Sequence, residues 1–150
     1  MTMRATPEGI RAAFDGRELT LGVTTYRVWR DGDEFWVSTP DPDKEYELLS
    51  QNSQKDSLAD FYHPRLGPAP PLGDRRVGMT TGSHKVQMYW LASHNNPPKL
   101  RLFPWVYYIP TGSWIPYEDS FIVDPRYGRP PANWNESCIA CHSVNGKPNI

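Results

Sequence analysis

The chain has 150 residues, enough for one domain with a modest core and too few for a large multi-domain enzyme. Sixteen basic and seventeen acidic residues give a formal net charge of −1, and their even spread excludes a basic stripe for nucleic acid or a polybasic cluster for anionic membranes. No apolar run approaches the roughly 18 residues of a membrane span. Residues 1–14 lack the basic start and apolar middle of a secretory signal, so we expect no export signal in the chain as given.

The composition predicts a mainly β fold of the α+β class. Aromatic residues make up 13% of the chain and prolines number sixteen, whereas sustained helical periodicity is scarce. We expect a single domain over residues 1–150, with antiparallel hairpins, a meander and long loops across a β-rich part at 17–123. A separate C-terminal segment at 131–147 contains both cysteines.

The first predicted element is a short N-terminal helix. Thr6 is a suitable cap and Pro7 suits the first helical position. Apolar residues from Ile10 to Phe14 share one helical face, and Gly16 is a stop signal.

From Glu18 onward the periodicity changes to that of strands. Alternating apolar residues on both sides of residues 30–34 predict a β-hairpin, with a bulge near Gly22. Residues 44–49 are predicted as a further short strand. Residues 50–76, rich in polar residues, Pro and Gly, are predicted as a long loop with one helical turn.

Three strands of a meander are predicted next, at residues 85–91, 100–109 and 114–123. Because proline cannot donate a ladder hydrogen bond, Pro104 and Pro116 require an edge position or a bulge. In the first of these strands Val86, Met88 and Trp90 alternate with Gln87 and Tyr89, which predicts that the former three face the core.

The two cysteines of the chain, Cys138 and Cys141, are followed directly by His142. Asn135 and Ser137 are candidate caps for a helix of about two turns that would carry them. On a helix these three side chains project to one side, so two thiols can bond the vinyl groups of a haem while the imidazole ligates its iron. Cys-x-x-Cys-His is the signature of c-type haem attachment.

Three other interpretations of the motif stay open. A thioredoxin-like dithiol would need a βαβ pattern, which the sequence lacks. A zinc site would need a remote histidine as well as the adjacent Cys141 and His142, which is poor geometry for one metal. The third is a pair of unmodified thiols or a local disulfide that only closes a C-terminal turn.

A haem iron held by His142 needs a sixth ligand or an open position. The candidates in the sequence are His63, His84, His94, Met79 and Met88. We expect His84 as the distal ligand if the site is closed within this chain, because it lies where a glycine-containing loop enters a strand. The competing interpretation is a polar loop residue. His63 and His94 are expected to be solvated, and Met88 is expected in the core.

Trp134 stands four residues before Cys138 and is therefore expected to pack against the haem. The other large aromatic side chains have a second interpretation as the ordinary core of a small β-rich domain. They are Trp105, Tyr107, Tyr108 and Trp114.

Residues 77–145 resemble a segment of periplasmic multihaem c-type cytochromes. The resemblance rests on "TTGSHKVQMYW", "LFPWVYYI", "WIPYEDSFI" and "NWNESCIACHS" in this order, and the hairpin at residues 14–37 is similar to one that often precedes that segment. It implies one covalent haem c on Cys138 and Cys141, His142 as the proximal ligand and His84 as a histidine ligand on the other side. The chain departs from the family in having a single motif and Lys85 in place of a second histidine.

The resemblance implies electron transfer outside the cytoplasm, with other haem domains or redox proteins as partners, in a homo-oligomer or a larger multihaem assembly. An alternative of a different class is a β-rich binding module whose cysteine pair is structural. A haem enzyme is a third hypothesis, but the sequence offers no set of acid, base and nucleophile to support it.

Overall fold

The structure is a computed structural model that describes residues 2–50, 70–95, 99–120 and 133–138. Its strands are β1 (Thr2–Arg4), β2 (Asp15–Leu21), β3 (Thr24–Asp31), β4 (Glu34–Pro40), β5 (Leu72–Thr81), β6 (Val86–Ala92), β7 (Leu100–Tyr108) and β8 (Ser113–Pro116). The helices are α1 (Pro42–Ser50) and α2 (Tyr117–Ser120), and a π-helical turn spans Trp134–Cys138. Neither helix among the described residues has the length and apolar run that a membrane span needs.

The strands form one antiparallel sheet, which confirms the mainly β prediction. From β2 to β8 each strand pairs with the next along the chain, and β1 is added beside β5. The ten-residue strand β5 has two neighbours on the same side, because β4 pairs with its first half and β1 with its last three residues. The sheet curls into a nearly closed, barrel-like shape.

Contacts between distant strands show that one face of the sheet is an interior. The ring of Tyr26 on β3 meets Phe103 and Trp105 on β7 edge-to-face, with ring centroids 5.8 and 6.0 Å apart. The ring of Phe14, which precedes β2, packs edge-to-face on two others. Its centroid lies 5.1 Å from that of Phe35 on β4 and 5.6 Å from that of Trp114 on β8. Burial of these aromatic rings stabilises the fold.

The hairpin prediction is confirmed in part. β3 and β4 pair around a turn at Gly32, whose φ of +58° suits a residue without a side chain. Gly22 lies in a second tight turn with φ +60°, so the first arm of the predicted hairpin is two strands. The bulge lies between Asp15 and Glu18 and not near Gly22.

The predicted N-terminal helix is wrong. Thr6 begins a single turn, in which its carbonyl accepts hydrogen bonds from the amides of Gly9 and Ile10 at 3.0 Å. The side chain of Gln87 then takes over the next backbone groups: its Nε2 donates to the Gly9 carbonyl and its Oε1 accepts from the Arg11 amide, both at 2.8 Å. A helix cannot continue once a distant side chain binds these groups.

Residues 44–49 belong to helix α1 and not to a strand. Asp41 caps this helix, because its Oδ1 accepts a hydrogen bond from the Asp43 amide at 2.9 Å, and Pro42 occupies the first helical position. The strand predicted at 44–49 is therefore wrong, because Asp41 and Pro42 are helix start signals directly before it.

The long loop predicted up to Arg76 ends earlier, since β5 begins at Leu72. The first residues of β5 have the sequence pattern of a loop, because residues 72–74 are exposed and show no buried alternation. The helical turn predicted inside this loop lies outside the described residues.

The meander of β6, β7 and β8 is confirmed. A register shift in the β6–β7 pairing lies beside Pro104, and Pro116 ends the short strand β8, so both prolines stand where a missing donor is tolerated. The third strand is shorter than predicted because α2 starts at Tyr117.

Candidate functional site

Strand β6 contacts two different apolar clusters, one on each face of the sheet. Gln87, Tyr89 and Leu91 point into the interior and are fully buried, which is the opposite of the predicted orientation. Met88 and Trp90 face outward into a second cluster, here called the outer cluster. Its buried members are Trp90, Leu102 and Trp134, and its partly buried members are Met79, Met88, Leu100, Tyr117 and Cys138.

The outer cluster is organised around two tryptophans. The rings of Trp90 and Trp134 meet edge-to-face with centroids 5.4 Å apart and an interplanar angle of 66°. Trp90 is fixed further because its Nε1 donates to Thr81 Oγ1 at 3.1 Å. Trp134 is only 5% exposed, so its ring is used almost entirely for contact with the protein. This contact holds the chain just before Cys138 against the sheet.

A backbone bridge and hydrogen bonds to two asparagine side chains hold the same segment beside β7. Asn133 forms an antiparallel bridge with Arg101, in the half of β7 that β8 does not cover. Asn135 Oδ1 accepts from the Leu100 amide at 3.0 Å, and the Asn135 amide donates to Asn133 Oδ1 at 3.3 Å. Asn133 and Trp134 stand close to the cysteine motif in the sequence. The pairing of Asn133 with Arg101 is visible only in the structure.

Cys138 is the last residue of the π-helical turn and is partly buried in the outer cluster. Tyr117 at the start of α2 belongs to the same cluster. Burial raises the pKa of the Tyr117 phenol, and the nearby Cys138 thiolate raises it further. Cys141 and His142 lie outside the described residues, as does most of the helix predicted to carry them.

The two methionines considered as iron ligands both belong to the outer cluster. Met79 lies on β5 opposite Trp90, and Met88 lies on β6 opposite Thr81. Each borders an irregularity: the β5–β6 register shifts between Val77 and Met79, and the β6–β7 register shifts at Met88. Met88 was predicted to lie in the core, but it packs in the outer cluster on the other side of the sheet.

The two described histidines, His84 and His94, are both exposed. His84 is exposed in the connection between β5 and β6, and its Nδ1 is 3.0 Å from Ser83 Oγ. His94 is exposed beyond the end of β6, where its amide donates to Asp43 Oδ2 at 3.0 Å and its ring hydrogen-bonds to Arg75. His63 lies outside the described residues.

An ion pair beneath α1 supports β7 near the Asn133 bridge. Arg101 Nε donates to Asp43 Oδ1 at 2.8 Å, with the Arg101 side chain 6% exposed. Its guanidinium also lies 3.8 Å from the ring centroid of Tyr46. Arg101 and Asp43 were not singled out from the sequence, because an arginine and an aspartate 58 positions apart give no local signal.

Three of the four other aromatic residues are placed as the core interpretation expects, whereas Tyr108 is half-buried and is not among the core residues. Trp105 is buried inside the sheet, and Tyr107 and Trp114 pack against the same core. Within the part of the chain that the structure describes, there is no group of three or more His, Cys, Asp or Glu side chains that could hold a metal ion.

Comparisons with known proteins leave the resemblance to multihaem cytochromes as a prediction. No protein-family model, no curated protein and no solved structure matches this chain.

Proposed function

We propose that this chain is an electron-transfer c-type cytochrome domain with one haem attached covalently through Cys138 and Cys141 and ligated by His142. The observation that carries the proposal is the position of Cys138: the first cysteine of a Cys-x-x-Cys-His motif packs into an apolar cluster on the outer face of the sheet. A motif with this spacing is typical of haem attachment.

The described surroundings of Cys138 suit a haem. Trp90, Leu102 and Trp134 provide a buried apolar base, and an apolar environment excludes water from one side of a porphyrin. The haem, when bound, supplies reversible one-electron transfer at its iron. In this proposal Trp134 serves the haem indirectly, because it anchors the motif to Trp90.

The protein would tune the haem through burial and the identity of the axial ligands. Partners in this proposal are other haem domains or redox proteins, and the location is the periplasm or another compartment outside the cytoplasm. The zinc and haem-enzyme alternatives draw no specific support from the described residues. A binding module with a structural cysteine pair is the remaining competitor.

The test is expression of the full chain with an export signal in cells that contain the haem-attachment machinery. We expect a pyridine haemochrome spectrum of the c type and haem that stays with the denatured protein. Cys138→Ser and Cys141→Ser should each weaken the covalent signal, and the double variant should abolish it. A colourless, stably folded wild-type protein under these conditions would contradict the proposal and favour the binding module.

A further inference from the structure

We propose that the sixth ligand of the haem iron is a methionine thioether from the pair Met79 and Met88, and not the imidazole of His84. The inference rests on the proposed function, since it names the second axial ligand of a haem held by Cys138, Cys141 and His142.

Both candidate methionines belong to the same cluster as the attachment cysteine Cys138. A thioether bond to Cys138 fixes one edge of the porphyrin beside the outer cluster, to which both methionines belong. The register of β5 and β6 places them on the same face of the sheet as diagonal neighbours, since Met79 is opposite Trp90 and Met88 opposite Thr81. Diagonal neighbours in an antiparallel pair have Cα atoms roughly 7–8 Å apart. Two thioethers therefore lie within one small patch that includes the attachment cysteine.

Met79 also borders an irregular stretch of strand β5. One register shift lies between Val77 and Met79, and another lies between Met88 and Trp90. Bulges redirect side chains and are over-represented beside functional sites. At the first shift the extra residue is Gly78 of β5, directly before Met79, so this bulge bears on the direction of the Met79 side chain. At the second shift the extra residues belong to β7 around Pro104, opposite the stretch that follows Met88.

A methionine thioether is a chemically suitable ligand for haem iron. A thioether is neutral and polarisable, and methionine opposite histidine is an established ligand pair for haem iron that raises the reduction potential. Both methionines are only partly buried. The buried members of the cluster, Trp90, Leu102 and Trp134, offer no such donor. His84, in contrast, is exposed in the connection between β5 and β6, where its Nδ1 lies 3.0 Å from Ser83 Oγ.

The experiment uses the full chain with its haem attached. Methionine-ligated ferric haem has a charge-transfer band at the red end of the optical spectrum and a strongly upfield-shifted methyl resonance in the proton NMR spectrum. We expect both signatures in the wild-type protein, their loss in Met79→Leu/Met88→Leu, and their loss in one of the two single variants. Leucine nearly conserves the volume of methionine, so the cluster should stay packed.

Two controls make the result specific. Met3→Leu removes a methionine that this inference does not assign to the iron, and it should keep both signatures. His84→Asn should also keep them. Covalent haem without the methionine signatures in the wild-type protein, or a low-spin spectrum lost in His84→Asn and kept in the double methionine variant, would overturn this inference alone. Absence of covalent haem would overturn the proposed function itself.

Discussion

Two segments of the chain attach to opposite faces of the same strand, β6, and they do so by different chemistry. Residues 5–14 enter the interior and are held by the polar side chain of Gln87, which hydrogen-bonds to Gly9 and Arg11. Residues 133–138 lie on the outer face, where the ring contact between Trp90 and Trp134 is joined by the bridge to Arg101 and the hydrogen bond from the Leu100 amide on β7.

The difference concerns how each attachment can be released. Gln87 is fully buried and also accepts a hydrogen bond from the Tyr89 hydroxyl at 2.9 Å, so its removal would leave several polar groups inside the sheet without partners. The outer segment leaves only apolar surface and a few hydrogen bonds when it separates. We therefore expect the segment that leads into the cysteine motif to open locally, while the inner attachment breaks only with the fold.

The largest effect is expected for Gln87→Leu. Leucine fills a similar volume but cannot pair with Gly9, Arg11, Gly82 or Tyr89, so we expect a loss of about 3–5 kcal/mol in the free energy of unfolding. Urea denaturation measures it. Thr20→Val, an exposed substitution on β2, should change stability by less than about 0.5 kcal/mol.

Trp134→Ala tests the outer attachment. The loss of buried aromatic surface should weaken docking of residues 133–138 by about 3 kcal/mol. The sharpest reporter is hydrogen exchange at the Leu100 amide, which donates to Asn135. We expect faster exchange there and little change at the amides of β3. An equal loss of protection throughout the sheet would contradict the distinction between the two attachments.

Gly82→Ala should cost about 2–4 kcal/mol, because Gly82 has φ +87° and a Cβ there would overlap the carbonyl oxygen of Val86. The matched control is Gly32→Ala, where φ is +58° and nothing lies within 4 Å of an added Cβ. We expect about 1 kcal/mol for this control. A similar loss in both variants would contradict the expected overlap between a Cβ at position 82 and the Val86 carbonyl.

The smallest effect concerns the exposed pair at the start of β2. The hydrogen bond from the Arg17 side chain lowers the pKa of Asp15 to about 2. Because the folded-state pKa is below the unfolded value of about 3.9, the contribution to stability is present above that value and is lost as the pH falls through about 2. Asp15→Asn should therefore show a slightly flatter decline in stability from about pH 5 to pH 2, and added salt should reduce the difference. An identical decline in both proteins would show that the pair contributes nothing.

The parts of the fold that follow local rules could be predicted from the sequence. The turn at Gly32 and the meander with its prolines are specified by residues close together in the chain, and both were confirmed. The N-terminal helix was wrong because Gln87, almost eighty positions away, binds the backbone that the helix needed. No local periodicity contains that information.

The same limit applies to the candidate site. The spacing of Cys138, Cys141 and His142 suggests a haem from five residues of sequence. Which side chains gather near Cys138 depends on the register of β5 and β6 and on the bulges within it. The alternation in β6 predicted the wrong face because Trp90 is apolar on the outer side while the polar Gln87 is buried. The single-domain organisation over residues 1–150 stays a prediction.

The two end strands of the sheet bear on how the protein meets other molecules. β2 carries a bulge and the charged residues Asp15, Arg17 and Glu18, and β8 has four residues and ends at Pro116. Charges, bulges, short length and proline all hinder the addition of a foreign strand to a sheet edge. β1 in turn covers the last residues of β5 that β4 leaves unpaired. Association with another protein is therefore expected through side-chain surfaces, without a continuous intermolecular sheet.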